Sequence, residues 1–169
     1  MATNLEFIKS VSGTSVSSLS VTDCFSADYD VYQITVTESD TSATGWQKIN
    51  FIDSGGIDTT ANYDYANLQL LTYAAFGEDR YTNQTNFPNV WYQDESSTDF
   101  GGFTCYIFNP FDSSSYTFFQ SQSMGIIFIN AVGAKNIGVH KVAKQITGIA
   151  FTPPSGTYDS LTVNVYGVK

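Results

Sequence analysis

Apolar and polar residues alternate with a period of two over much of this chain, and that pattern restricts it to β-structure. The clearest case is the run VYQITVT at residues 31–37, in which β-branched and aromatic residues alternate with polar ones. Successive side chains of a strand point to opposite faces, so such alternation predicts strands that are buried on one side. The runs that we interpret as strands lie at residues 5–9, 16–21, 31–37, 46–52, 103–108, 115–120, 125–131, 145–151 and 161–168.

Turn-forming residues separate these runs. Glycine, proline and serine cluster at residues 54–56, 112–114 and 153–156. Short strands that recur about every 8–12 residues between such turns are typical of a sandwich or barrel. A length of 169 residues suits one domain with one core. We therefore predict an all-β protein, with a single antiparallel β-sandwich domain over residues 1–169.

One segment departs from the alternation. Residues 63–76 are rich in alanine and leucine, and Leu68, Leu71 and Ala75 fall at helical spacing. We predict one short helix here, followed by a long irregular excursion that ends at Asp99. Long excursions of this kind are uncommon in compact domains and are usually functional or packed against a partner.

The charge of the chain excludes several classes of partner. Charged residues make up only 14% of the sequence, and 16 acidic residues against 7 basic ones give a formal net charge of -9. Such a surface repels phosphate, so we expect binding neither to nucleic acid nor to an anionic membrane. No apolar run approaches the ~20 residues of a membrane-spanning helix. The first ten residues do not resemble a signal peptide, so we expect the chain to fold in the cytosol where it is made.

Few residues suit catalysis or cofactor binding. The chain has one histidine, His140, and no GxSxG motif, so a nucleophilic triad has little support. Cys24 and Cys105 form no CxxC pair, and they are interpreted as free thiols or, alternatively, as a disulfide between distant strands. The acidic clusters at residues 23–30 and 53–58 do not match a calcium-binding EF-hand loop. We expect no enzymatic activity, no metal and no cofactor.

A first candidate contact surface lies in the long excursion, where Trp91, Tyr92, Asp94 and Glu95 stand together. Sugar rings stack on aromatic faces, and carboxylates bind sugar hydroxyls. This combination therefore predicts a site for a glycan or another partner. The alternative interpretation is a solvated loop, because loops collect polar residues whatever their function.

A second candidate surface follows from the uneven distribution of charge. No acidic residue lies between Asp112 and Asp159. A basic strip on an acidic protein can pair with copies of the same protein or with an acidic neighbour, although a solvated loop is an equal alternative. An aromatic run that is broken by serines also predicts an exposed, interface-forming face, and it consists of Phe108, Phe111, Tyr116, Phe118 and Phe119. The candidate interface residues are Lys135, His140, Lys141, Lys144 and Phe118.

Three short motifs, in their order along the chain, resemble a known group of proteins. A Tyr-Asp-x-Tyr sequence leads into the strand within residues 26–34, and an Asn-Pro pair within residues 108–116 precedes a serine-rich turn. Residues 146–149 and 161–169 resemble closing strands that end in Tyr-Gly and one apolar residue. In these features the chain is similar to small structural proteins of marine tailed bacteriophages, of the cyanophage and pelagiphage type.

The resemblance implies a jelly-roll-like sandwich in the virion and carries over no catalytic residue. We expect a bacteriophage structural protein, made in the host cytoplasm, that acts as a capsid decoration or cement protein. Its expected partners are copies of itself, with a trimer as our guess, and virion proteins such as the major capsid protein. The alternative is a receptor- or glycan-binding module of a tail fibre, with a host glycan as its ligand.

Overall fold

The computed structural model of the chain describes residues 4–95, 99 and 101–169, and every regular element in this part is a β-strand. The strands are β1 Leu5–Gly13, β2 Leu19–Val21, β3 Val31–Thr41, β4 Gly45–Trp46, β5 Lys48–Asp53, β6 Gly56–Ile57, β7 Tyr63–Leu71, β8 Gly77–Gln84, β9 Tyr92–Gln93, β10 Gly102–Phe108, β11 Thr117–Ile127, β12 Asn130–His140, β13 Gly148–Thr152 and β14 Tyr158–Val168.

The strands form three sheets. The large sheet has eight strands in the order β1-β14-β3-β10-β11-β12-β7-β8, and the small sheet has four in the order β2-β13-β5-β6. Strands β4 and β9 form a separate two-stranded ribbon. Every pairing is antiparallel. The prediction of an all-β protein with antiparallel sheets is confirmed.

The alternation in the sequence decides which side of each strand is buried. In β3, Tyr32, Ile34 and Val36 are buried, whereas the intervening Gln33 and Thr35 lie on the opposite side and are partly exposed. Directly opposed residues of neighbouring strands share a face, so this register brings the buried side chains of the central strands to one inner face. We call the opposite side of the large sheet the outer face.

The small sheet and the segment 86–91 cover the inner face. Trp91 links the two sheets, because its ring centroid lies 4.9 Å from that of Phe103 in β10 and 5.9 Å from that of Phe151 in β13. Phe87 packs in the same way against Phe51 of the small sheet, with centroids 5.5 Å apart. Both sheets contribute to one apolar core, which is the arrangement of a sandwich.

The predicted helix at residues 63–76 is wrong. Strands β7 and β8 form a hairpin there, and β7 is hydrogen-bonded to β12 on its other side. Tyr63, Tyr65 and Asn67 are buried in strict alternation, whereas Leu68 is exposed on the outer face. The helical spacing of the leucines was therefore accidental, and cross-strand pairing decided the structure. Strands β8 and β9 also give regular structure to the predicted excursion, of which residues 96–98 lie outside the described part.

The run at residues 125–131, predicted as one strand, is a hairpin. Ile127 pairs with Asn130, so Phe128 and Ile129 form a two-residue turn between β11 and β12. The predicted strand at residues 16–21 is shorter, because β2 covers Leu19–Val21 and Val16 makes an isolated bridge to Tyr158. The turn at residues 128–129 leads into β12, a long strand of the large sheet that the sequence pattern did not predict.

Replacing Phe151 by alanine should lower the free energy of unfolding by about 3–5 kcal/mol, because the ring is fully buried between the sheets and its loss leaves a cavity. The matched control is Phe7→Ala on the outer face, where 59% of the side chain is exposed and the expected loss is at most about 1 kcal/mol. Urea-induced unfolding measures both values. Equal losses in the two variants would contradict the assignment of the inner and outer faces.

Candidate functional site

The structure separates the four residues of the first predicted contact surface. Trp91 is fully buried and Asp94 is nearly so. The Asp94 carboxylate accepts hydrogen bonds from the Thr44 hydroxyl, at 3.1 Å, and from the Phe128 amide, at 2.8 Å. The prediction that Trp91 and Asp94 contact a glycan is therefore wrong, because a large apolar side chain in this position is used to fill the core.

The other two residues of that surface are accessible to different degrees. Tyr92 is partly buried and lies edge-on to Trp46, with ring centroids 5.3 Å apart, where β9 pairs with β4. Glu95 is exposed. Of the four predicted residues, only Glu95 and part of Tyr92 are accessible to a glycan.

The predicted basic strip is also divided by the fold. His140 is fully buried, so its assignment to an interface is wrong. Lys141 and Lys144 are partly buried and form ion pairs, the first with Asp64 at 2.9 Å. Lys135 and Phe118 are exposed on the outer face, and Lys135 forms no ion pair with a described residue. Strand alternation explains why Lys135 and His140 of β12 face opposite sides, because they are an odd number of positions apart. Lys141 and Lys144 lie in the loop that follows β12.

A buried ionic cluster connects the end of β12, the following loop and the β5–β6 hairpin. The His140 Nε2 atom lies 2.9 Å from Oδ2 of Asp58, and the Lys144 ammonium lies 2.5 Å from the same oxygen. Lys144 also reaches Asp53, at 2.7 Å. The second oxygen of Asp58 accepts hydrogen bonds from the amide and hydroxyl of Thr60. His140 and Asp58 are 82 positions apart in the sequence, so no local pattern could predict their contact.

Burial and charge set the ionisation of the cluster. Burial opposes ionisation of Asp58, but hydrogen bonds from Lys144 and Thr60 outweigh that effect and lower its pKa to about 2. Burial lowers the pKa of His140 below its ordinary value of 6.5, although Asp58 acts in the opposite direction. The Nδ1 atom of His140 is buried without a hydrogen-bond partner. We infer a neutral imidazole with its proton on Nε2, since a proton on Nδ1 would have no acceptor.

This cluster stabilises the fold and is closed to substrates. The ring of His140 is surrounded by Tyr63 and Phe51, with centroids 4.7 and 5.9 Å away, and is not exposed to solvent. Lys144 stands between the two carboxylates, where a cation would otherwise bind. Within residues 4–95, 99 and 101–169, no group of three or more histidine, cysteine or acidic side chains could hold a metal ion.

The two cysteines are free and buried, so the alternative of a disulfide is wrong. Burial raises the pKa of the Cys24 thiol to about 12 and raises the pKa of Cys105 well above its ordinary range. Both thiols therefore stay protonated and unreactive near neutral pH. Among the described residues there is also no helix long and apolar enough to cross a membrane.

The outer face of the large sheet has no covering layer within the described part of the chain. Its centre is a single row of directly opposed residues that crosses all eight strands. The row mixes aromatic, aliphatic and amide side chains, and its one charged residue is at the β8 edge. In order from β1 to β8, its members are Phe7, Tyr166, Gln33, Tyr106, Gln120, Ile137, Ala66 and Arg80.

Exposed apolar side chains are confined almost entirely to this sheet. Of the large exposed apolar residues in the described part of the chain, all except Ile57 lie in strands of the large sheet or in the connections between them. A monomer that exposed apolar groups at random would distribute them over both sheets. The members outside the small sheet are Leu5, Phe7, Leu68, Leu70, Tyr73, Phe76, Tyr106, Tyr116, Phe118, Met124, Phe128, Ile129 and Ile137.

Comparison with known proteins adds no assignment to these residues. No protein-family model matches the chain, and no curated protein sequence matches it. The outer face and the buried cluster are therefore interpreted from their geometry.

Lowering the pH from 7.5 to 5 should reduce the free energy of unfolding, because the unfolded chain binds a proton at its only histidine near pH 6.5 whereas native His140 stays neutral. The stability due to this group is present above pH 6.5 and is lost as the pH falls towards the lower native pKa. A His140→Gln variant should lack this dependence between pH 7.5 and 5. Urea unfolding at several pH values measures both proteins, and a wild-type chain that becomes more stable at pH 5 would contradict a neutral His140.

Proposed function

We propose that this chain is a non-enzymatic structural protein of a bacteriophage virion, with a jelly-roll-like sandwich that acts by packing. The observation that supports the proposal is the concentration of exposed apolar side chains on the outer face of the large sheet and on its hairpins. Exposed patches of this kind mark contact surfaces for other proteins. The resemblance of its strand and turn motifs to small virion proteins of marine phages supports the same function.

The exposed aromatic area is large, and it is divided between the outer face and the connections between its strands. Seven aromatic side chains of this set together expose about 750 Å², if a whole aromatic side chain offers ~200 Å². A protein–protein interface of standard size buries about 800 Å² on each partner. The summed aromatic area is therefore close to that of one partner in a specific complex, and because the length of β11 separates Phe118 from Phe128, this area is divided over more than one contact.

Among virion roles, we propose capsid decoration or cement. The described part of the chain holds one pair of packed sheets and no coiled coil, so it offers surfaces for lateral packing and no fibrous shaft. The proposed partners are copies of this chain, in a trimer, and the major capsid protein. The proposed location is the surface of the virion, after synthesis in the host cytoplasm.

Purified particles of the encoding phage should contain this chain at a copy number comparable to that of the major capsid protein. A decoration protein occupies equivalent positions over the whole shell, and gel densitometry measures its amount relative to capsid and tail proteins. Electron microscopy of the particle provides the control, because density for the two-sheet fold should appear on the shell. A copy number equal to that of the tail proteins, with density at the tail, would contradict the proposal.

A second candidate function is binding of a neutral glycan on the outer face, as part of a tail-fibre module. The observation that favours it is the set of uncharged polar groups around Tyr106. The amide nitrogen of Gln33 lies 3.2 Å from the Tyr106 hydroxyl, and Gln120 follows on the next strand of the same row. An aromatic ring flanked by amides can stack on a sugar and bind its hydroxyls.

If the glycan function is correct, Tyr106→Ala should weaken binding of purified host envelope polysaccharide by about tenfold or more, as the loss of a central aromatic contact does. Isothermal titration calorimetry measures the affinity. The matched control is Tyr116→Ala, an equally accessible tyrosine outside the row, which should leave the affinity unchanged. No heat of binding to the wild-type chain at the highest soluble polysaccharide concentration would exclude this function.

A further inference from the structure

Two neighbouring hairpins of the large sheet end in an exposed apolar projection, which we call the knob. Phe128 and Ile129 form the turn between β11 and β12, and 74% and 93% of these residues are exposed. Tyr73 and Phe76 lie in the turn between β7 and β8 and are also exposed. The Thr72 amide donates a hydrogen bond to the carbonyl of Ala131, so the two turns are at the same end of the sheet.

The conformation of Phe128 indicates that its position at the tip is functional. Its φ is 58°, in the left-handed region. At the first central position of a two-residue hairpin turn, that region favours glycine, and a bulky aromatic residue there is strained. The buried Asp94 carboxylate accepts the Phe128 amide and so holds the turn in place. Strained residues that the surrounding structure maintains cluster at binding sites.

The knob is also free of charge on a strongly acidic protein. Residues 65–77 and 113–134, which contain both turns, all of β11 and most of β7, include no charged side chain, although the chain carries a net charge of -9. The exposed Glu95 follows directly after Asp94, so a carboxylate stands beside the knob. A partner surface must therefore be apolar, and a basic group at its border would add attraction.

A complementary surface is present on the outer face of the same sheet. An open groove of about 560 Å³ is formed by residues of β7, β8, β10, β11 and β12. Its lining includes the apolar side chains of Ala66, Phe118 and Ile137 and the charged side chains of Asp64 and Arg80. Its volume is within the range of binding pockets, about 300–1,000 Å³. Lys135 borders the adjoining hollow, which also includes Ala66 and Ile137. The groove thus offers apolar contacts to the knob, with the basic residues Arg80 and Lys135 close by, and its one carboxylate, Asp64, is paired with Lys141.

A chain cannot place its knob in its own groove. Phe118 in the groove and Phe128 in the knob are ten residues apart along β11 and its turn, which corresponds to about 33 Å of extended strand. The strand is paired on both sides over most of this length, so it cannot fold back. Any contact between the knob and the groove must therefore join two molecules.

We propose that the knob of one copy packs into the groove of a second copy, in a head-to-tail contact. This inference rests on the proposed packing function and names the partner and the two surfaces. Because the two sides of the contact differ, each bound copy still has a free knob or a free groove. Repetition closes a ring when the rotation allows it, and a ring of three accounts for a trimer.

The test uses one variant for each side of the contact and a matched control. Phe128→Gly removes the aromatic ring at the tip of the knob, at a position where glycine is unstrained, so the variant should unfold at the same or a higher urea concentration than the wild type. Ile137→Lys places a charge in the groove at a side chain that is 64% exposed. Ile57→Lys makes the same change at an exposed residue of the small sheet. Sedimentation equilibrium over a range of concentrations measures association.

The wild type and Ile57→Lys should associate, and each of the other two variants should associate about tenfold or more weakly, as expected for loss of a central apolar contact. An equimolar mixture of Phe128→Gly and Ile137→Lys should form a one-to-one complex that grows no further. The first variant provides an intact groove and the second an intact knob, so one productive contact remains.

Three results would overturn the proposal. The first is a wild-type chain that stays monomeric at the highest concentration. The second is that Phe128→Gly associates more weakly than the wild type whereas Ile137→Lys associates as strongly as the wild type. This result would indicate a symmetric contact between knobs. The third is Phe128-dependent binding to phosphatidylcholine vesicles without self-association, which would assign the knob to a lipid surface. A chain that is monomeric but abundant on the capsid would refute this contact and leave the proposed function intact. A chain that associates as proposed but is found only at the tail would refute the capsid function and leave the contact intact.

Discussion

The large sheet has two faces, and the chain covers one of them. Covering the inner face depends on Phe87, whose ring stacks on Phe119 at 4.8 Å and lies edge-on to Tyr63 at 4.9 Å. The approach is so close that a Cβ atom on Gly138 would lie 2.5 Å from this ring, so glycine is required at that position of β12. Segment 86–91 and the small sheet supply the rest of the inner layer, and the outer face has no equivalent covering within the described chain. The exposed apolar groups of the outer face are the consequence of this one-sided layering.

Polar contacts determine where the covering segment sits. The Asn136 side-chain amide donates hydrogen bonds to the carbonyl of Val90, at 3.0 Å, and to the Ser121 hydroxyl, at 2.7 Å. The Tyr65 hydroxyl lies 2.7 Å from both the Asn136 side-chain oxygen and the carbonyl of Asn89. A buried polar group that loses its partner is costly, so a shift of this segment by one residue would break several of these contacts together. The polar network therefore adds to the close packing of Phe87 in fixing the position of this segment.

Strand positions could be predicted from the sequence because burial of one face imposes a period of two, as in Tyr32, Ile34 and Val36. The segment 63–76 was misassigned because spacing cannot distinguish a helix from a strand when apolar residues occupy both faces, and here Leu68 faces outward. The hairpin at Phe128 was missed because its turn contains no residue that normally favours a left-handed conformation. The position of Trp91 and the pairing of His140 with Asp58 depend on contacts between distant segments. Such contacts leave no local pattern in a single sequence.

Both edges of the large sheet are protected against strand addition, which restricts how copies can associate. At one edge, β1 has an irregular register between Phe7 and Lys9, and the Lys9 ammonium donates a hydrogen bond to the Thr22 carbonyl. At the other edge, β8 carries Glu78 and Arg80, which pair with each other and are largely exposed. Irregular registers and charged side chains on edge strands discourage pairing with a strand of another chain. Copies that associate must therefore use the outer face and the hairpin turns, where the exposed aromatic residues lie.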